Sequence, residues 1–176
     1  MNDIDVAEIR EIIEKHKIHE LLMRSARGDD RVDRDLIASS FHMDGTCEFG
    51  SLLLEGSDAI ADAIVKATSG CLLTYHLLGN ELVELRGDVA ASETYFLASA
   101  TVDDEKGGNK VLRIRSGRYL DRIEKRDGTW RIKNRTVVED WSKTFELPAA
   151  SAAASFRPGK QGKEDYLYTL LDSLPE

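Results

Sequence analysis

Long apolar runs are missing from this 176-residue sequence: stretches such as Leu52–Leu54 fall far short of the ~20 residues a helix needs to cross a bilayer. The start of the chain is acidic and has no basic, apolar leader, so the expected location is the cytoplasm and no membrane partner is expected. Cysteine occurs only twice, at Cys47 and Cys71, with neither CxxC spacing nor a histidine pairing. That argues against zinc, and free, half-buried thiols are the expectation. Positive charge is also short. A net charge of −8 repels phosphate backbones, and the one basic run, Arg113, Arg115 and Arg118, is broken by apolar residues as strand alternation requires. Nucleic acid is therefore not expected as a partner. No internal repeat is visible.

What is present suffices for one domain with a real core. From Asp5 to Arg27, Val6, Ile9, Ile13, Ile18, Leu21 and Leu22 recur at three- and four-residue steps and predict an amphipathic helix, capped by Asp3 or Asp5 and ended by Gly28. A short second helix is predicted over about 32–42, with Leu36, Ile37, Ser40 and Phe41 on one stripe. Asp44-Gly45 reads as a turn, Thr46–Leu54 as a short strand or hairpin, and Ser57 as the start of a third helix with Gly70 just past its end.

From Cys71 the period becomes strand-like, over Leu72–Leu85, Val89–Val102, Val111–Lys125 and Thr129–Trp141. Arg86-Gly87-Asp88, the loop from Asp103 to Lys110, and Asp127-Gly128 separate these runs and predict an antiparallel meander. Strands of ~14 residues at about 3.3 Å each must coil or bulge rather than lie flat, and Gly79 and Gly117 are the expected bend sites. Residues Ser142–Gly162, rich in Ala, Ser, Pro and Gly, read either as an arm that clasps a neighbouring subunit or as a disordered tail, with a last helix over Glu164–Leu174. The expected division is a domain over 1–142 and an arm with a short helix over 143–176.

Four histidines are present. His16 and His19 fall on the first helix and His42 at the end of the second, where structural or solvated roles are expected. His76, in Thr74-Tyr75-His76-Leu77-Leu78, shares a strand face with Leu78 and Leu82 by alternation, which makes it either a satisfied core histidine or a catalytic base. Asp29 and Asp30 follow Gly28, where an aspartate either caps the next helix or orients an imidazole so that its other nitrogen serves as the base. Only the fold can bring Asp30 to His76. Arg135 suits a grip on an anionic leaving group or substrate oxygen. Strict alternation places it with Arg131 and Lys133 on a solvated face, opposite Trp130, Ile132, Thr136 and Val138, although Val137 and Trp141 share its side.

Several stretches resemble the SnoaL-like branch of the nuclear-transport-factor-two-like superfamily, the family of scytalone dehydratase, bile acid 7α-dehydratase and hexachlorocyclohexane dehydrochlorinase. They are Ala26-Arg27-Gly28-Asp29-Asp30-Arg31, Leu36 to Gly45, Tyr75-His76-Leu77-Leu78-Gly79-Asn80, Glu93-Thr94-Tyr95-Phe96, and Gly117-Arg118-Tyr119 through Arg126-Asp127-Gly128-Thr129-Trp130. The similarity spans about Ile9 to Trp141. It implies an α+β fold, a cone-shaped cystatin-like roll with a curved mixed or antiparallel sheet over three N-terminal helices. It also implies an Asp–His dyad at Asp30 and His76, a pocket arginine at Arg135, and elimination of a β-hydroxyl or halide from a small hydrophobic or cyclic substrate, with no metal or organic cofactor. Assembly as a homo-oligomer, a dimer or trimer built through the outer sheet face and the C-terminal arm, is implied as well.

Two positions depart from that pattern. Ser25 stands where these enzymes commonly carry a tyrosine or lysine, and Ala98-Ser99-Ala100-Thr101 where relatives often carry a histidine or other polar pocket residue. The acid side of the site is thinned, with Tyr75, Tyr95 and Tyr119 as substitutes, and Ser25 and Trp141 complete the expected substrate-binding set. The fold also hosts non-catalytic binders, subunit-like proteins and ketosteroid-isomerase-like proton shuttles, which remain the alternatives to a lyase.

Overall fold

The computed structural model describes residues 5–103, 110–147 and 155–175. Asp3, the interior of the expected loop between Asp103 and Lys110, and residues 148–154 of the expected arm lie outside the described residues. Asp5 starts helix α1 (Val6–Arg31), its carboxylate accepting from the Ala7 amide at 2.8 Å. Only the second half of α1 packs. Ile18, Leu21, Leu22, Ser25 and Gly28 are buried, whereas Val6, Ile9 and Ile13 of the expected apolar stripe face solvent.

Gly28 does not end the helix. A Cβ there would stand 2.8 Å from Ile37 Cγ1, so glycine serves the close approach of α1 to α2 (Arg34–Ser40), and α1 runs another turn until Val32 adopts a left-handed φ of 51°. Asp33 caps α2 by accepting from the Leu36 amide at 3.1 Å. The second helix is shorter than expected, and Phe41 and His42 already belong to β1 (Phe41–Phe49). His42 therefore does not end a helix. It is buried, with Nε2 2.9 Å from the Glu124 carbonyl. Asp44-Gly45 likewise lies inside β1, at an irregularity in its pairing, rather than between elements. β2 (Leu52–Glu55) closes the hairpin, and α3 (Ser57–Thr68) follows.

The four long strands β3 (Leu73–Arg86), β4 (Val89–Asp103), β5 (Lys110–Arg126) and β6 (Thr129–Leu147) form the meander. With β1 pairing parallel to β6, the six-stranded sheet has the order β2-β1-β6-β5-β4-β3. Asp127 and Gly128, both at positive φ, make the tight turn between β5 and β6. The boundary expected after residue 142 falls inside β6. The core, including Ile18, Leu22, Ile37, Ile60, Ile123, Trp130 and Ile132, fills the space between helices and sheet.

Among the described residues, three bulges in the four long strands set the curvature. One follows Gly79, with Asn80 at φ 45°; one falls between Ile132 and Asn134; one falls between Glu139 and Trp141, opposite Gly117. Each inserts one residue and exchanges the faces of everything beyond it. Leu82 consequently leaves the face of His76 and Leu78 and is exposed, and Val83 and Leu85 turn inward instead.

The C-terminal segment returns to its own chain. Helix α4 (Tyr166–Asp172) donates the Tyr168 hydroxyl to Asp33 Oδ2 at 2.8 Å, and Gln161 Nε2 reaches Thr74 Oγ1 at 3.4 Å. Its described part therefore packs against its own chain and is not a disordered tail. Among the described residues no helix is long and apolar enough to cross a membrane.

Candidate functional site

The last turn of α1 passes over the start of β3, and this crossing joins Asp30 to His76. The Asp30 carboxylate takes both bonds from one residue: Oδ1 lies 2.7 Å from His76 Nδ1, and Oδ2 accepts the His76 amide at 3.1 Å. Thr74, two residues earlier on the same face, donates its hydroxyl to the Asp30 carbonyl at 3.2 Å. The carboxylate fixes Nδ1 as the protonated nitrogen, which leaves the Nε2 lone pair for chemistry. Burial opposes a charged imidazole, but the bond to Asp30 and the fields of Asp29 and Asp30 outweigh it, and the His76 pKa is raised.

His76 lines a cavity of about 470 Å³ in the hollow of the sheet. Phe49, Phe96, Ala98 and Val137 give it apolar walls, Tyr119 stacks on Phe96 with centroids 4.6 Å apart, and Arg115 and Glu139 stand at the mouth, 3.5 Å from each other. Among the described residues no group of three His, Cys, Asp or Glu side chains is arranged to hold a metal ion.

Arg135 is buried, not solvated. The extra residue between Ile132 and Asn134 reverses the alternation of β6, so Arg135 joins Trp130 and Ile132 on the inner face. There it does not line the cavity. Nε and Nη2 each donate to Asp121 at 2.8 Å, Nη1 donates to Ser25 Oγ at 3.1 Å, and the guanidinium lies 4.3 Å from the Tyr119 ring centroid. Burial disfavours the cation, but Asp121 prevails and holds its pKa above the usual arginine value. Ser25 is thus a partner of Arg135 rather than a cavity residue.

The remaining expected residues divide by face. Tyr119 is in the cavity, and burial followed by the nearby Asp29 pushes its phenol well above the ordinary range. Tyr75 and Tyr95 lie on the outer face of the sheet, 54% and 40% exposed. The bulge at Asp140 turns Trp141 outward as well, opposite Ser116, so it does not share the Arg135 face.

One carboxylate of this region, Asp121, was not singled out in the sequence, and Asp29 was read there as a helix cap or an imidazole-orienting group. Asp121 was legible in principle, because Tyr119, Asp121 and Ile123 share one strand face and a charged side chain between two apolar ones needs a partner. Asp29 looked like a helix-end residue. It lies within α1, its Oδ1 is buried with no hydrogen-bond partner among the described residues, and burial raises its pKa to about 6.

Comparison with known proteins places this geometry in context. Rv3472 of Mycobacterium tuberculosis, a protein of unknown function, superposes with a TM-score of 0.66 at 28% identity, covering 78% of each chain. A protein assigned as a scytalone dehydratase from Novosphingobium aromaticivorans gives 0.69 at 19% identity, covering 84% of this chain and 97% of the other. Hexachlorocyclohexane dehydrochlorinase LinA type 3 from Novosphingobium barchaimii gives 0.67 at 17% identity, with 83% and 98% covered. The last two likenesses establish the fold alone. No curated protein matches the sequence. The SnoaL-like domain matches residues 10–136, from early in α1 to within β6, and the chain belongs to that family, within the nuclear-transport-factor-two-like superfamily with its cystatin-like fold.

Proposed function

We propose that this protein is a cofactor-independent lyase that eliminates water or hydrogen halide from a cyclic, largely apolar small molecule. The observation that carries the reading is the doubly bonded Asp30–His76 pair at the wall of an apolar cavity. Its volume lies in the range of small-molecule sites, roughly 300–1,000 Å³. His76 Nε2 removes a proton from a carbon beside an activating group, the electron pair becomes the new double bond, and the leaving group departs as halide ion or, on taking a proton back from the His76 imidazolium, as water. Asp30 holds the imidazole in register and stabilises its charged form. Arg135 acts from behind Tyr119, through its field and by fixing the ring, since its donors already serve Asp121 and Ser25. The dehydratase and dehydrochlorinase names of two structural neighbours support the reaction class. Self-association through the outer sheet face, where Tyr75, Leu77, Tyr95 and Leu97 are exposed, belongs to the same proposal.

The test is a mass-spectrometric screen for loss of water or hydrogen halide across cyclic β-hydroxy ketones and halogenated rings. His76→Ala is expected to abolish turnover, and Asp30→Asn to lower kcat by about 10²–10⁴. Turnover indifferent to both changes would remove the dyad from the chemistry. Rearrangement without change of mass would indicate a proton shuttle. Tight binding of panel members without conversion would assign the cavity to ligand binding, the reading that the closed Arg135–Asp121 pair favours.

A further inference from the structure

One titratable group in the hollow has no part in that scheme. Asp29 stands one turn beyond Ser25, on the continuation of the α1 stripe that carries Ile18 and Leu22. A helix-end aspartate ordinarily caps an amide, as Asp33 does, or pairs with a cation in water. Asp29 does neither. Its Oδ1 is buried and unpartnered among the described residues, although Asp30, its chain neighbour, makes two bonds to His76. Buried polar atoms left without partners are rare and concentrate where function needs them.

The groups that share its field come from five elements: Asp30 from α1 itself, His76 from β3, Tyr119 from β5, Arg135 from β6 and Cys47 from β1. Arg135 is bound through two bonds to Asp121, so its charge is shared between two carboxylates. Among the charges acting on Asp29, that of His76 comes first and that of Arg135 second. One carboxylate, Asp30, is bonded to the imidazole and sets its orientation; the other is unbonded and contributes charge.

We propose, building on the lyase reading, that Asp29 is a positioning residue acting through His76, a second carboxylate whose unshared negative charge stabilises the imidazolium formed when His76 takes the substrate proton. In this division Asp30 chooses the tautomer, and Asp29 determines how strongly the chosen nitrogen holds a proton. The elevated proton affinity of Asp29 itself, near pH 6, would switch that support off in mildly acidic solution. This assignment also accounts for an aspartate in place of an apolar side chain at a buried helix position, where an ionised group is otherwise a liability.

The experiment follows the His76 ring by ¹H–¹⁵N NMR through a pH titration of the full chain, in the native protein, Asp29→Asn, Asp29→Glu and Asp30→Asn. The Asp29→Asn change is expected to move the His76 midpoint downward with the Nδ1–H tautomer intact, and Asp29→Glu to restore part of the shift. Asp30→Asn, by contrast, is expected to disturb the tautomer. With a substrate in hand, Asp29→Asn should also move the acid limb of the pH–kcat profile downward and lower the plateau by about 3- to 10-fold, following the weaker base. A His76 midpoint unmoved in Asp29→Asn while Asp29→Glu also matches the native protein would overturn the proposal. A lower plateau with an unmoved acid limb would also overturn it, because that is the signature of a merely structural role. The titration needs no substrate, so it separates this assignment from the lyase reading: a shifted His76 in a protein that converts nothing on the panel would sustain the first and count against the second.

Discussion

Asp29 illustrates how one side chain can serve a site at the expense of the fold. Burial raises its pKa from the ordinary 3.8 to about 6, so the folded chain holds this proton more tightly than the unfolded chain does. Between those values the unfolded state releases its proton first, and stability from this group falls as pH rises. Above about pH 6 the ionised carboxylate costs the native state on the order of 3 kcal/mol. Asp29→Asn is therefore expected to raise the unfolding free energy at pH 7.5 by about 1–3 kcal/mol, with the gain shrinking below pH 6 and vanishing near pH 4. Urea titrations at pH 4, 6 and 7.5 measure it. An Asn variant no more stable than the native protein at pH 7.5 would mean that Arg135 and His76 already neutralise the carboxylate. His76 pushes the same way, since its raised pKa stabilises the fold below the ordinary imidazole value and is lost as pH rises through the folded one.

The elements themselves were largely legible in the sequence, because their causes are local. Three- and four-residue spacing marks α1, α2 and α3, and Asp127-Gly128 marks the β5–β6 turn. Where the reading failed, the cause was an extra residue in a strand. No composition signal distinguishes Lys133 from a ladder residue, yet the bulge there buries Arg135, and the bulge at Asp140 sends Trp141 outward. Pairing partners decide such positions, and those partners come from another strand. The Asp30–His76 contact was legible only through family resemblance, since helix and strand meet across a separation of 46 positions. Gly117 shows how tightly the last bulge is built: a Cβ there would overlap the Val138 carbonyl oxygen and lie 2.9 Å from Phe96 Cζ. Neither obstacle is the free end of a flexible chain. Gly117→Ala is expected to cost about 2–4 kcal/mol and to disturb the cavity wall at Phe96, read from the urea midpoint and the aromatic NMR signals. A cost under about 1 kcal/mol would show that the bulge can slide.

At the scale of the whole molecule, the end of α1 beside the dyad is tied down by contacts between residues far apart in the chain. Asp33 uses one carboxylate oxygen to cap α2 through the Leu36 amide and the other to receive the Tyr168 hydroxyl and Lys163, so the start of a helix is tied to a segment 130 and more residues away. Arg31 lies 3.7 Å from Asp165, and Gln161 bonds Thr74, whose hydroxyl in turn reaches the Asp30 carbonyl. The C-terminal segment thus braces the crossing of α1 over β3. Independent supports for the same crossing exist in the Ser25–Arg135 bond and the Gly28–Ile37 contact, which predicts a graded rather than catastrophic response to its loss. Tyr168→Phe removes one bond to a charged acceptor and is expected to cost about 1 kcal/mol, or about 2–4 °C in Tm for a chain of this length. The His76 tautomer, followed by the same ¹⁵N signals, is expected to stay unchanged. A lost tautomer in Tyr168→Phe would make the C-terminal segment part of the site's alignment, whereas an unchanged Tm would show that Asp33 is served as well by water as by the tail.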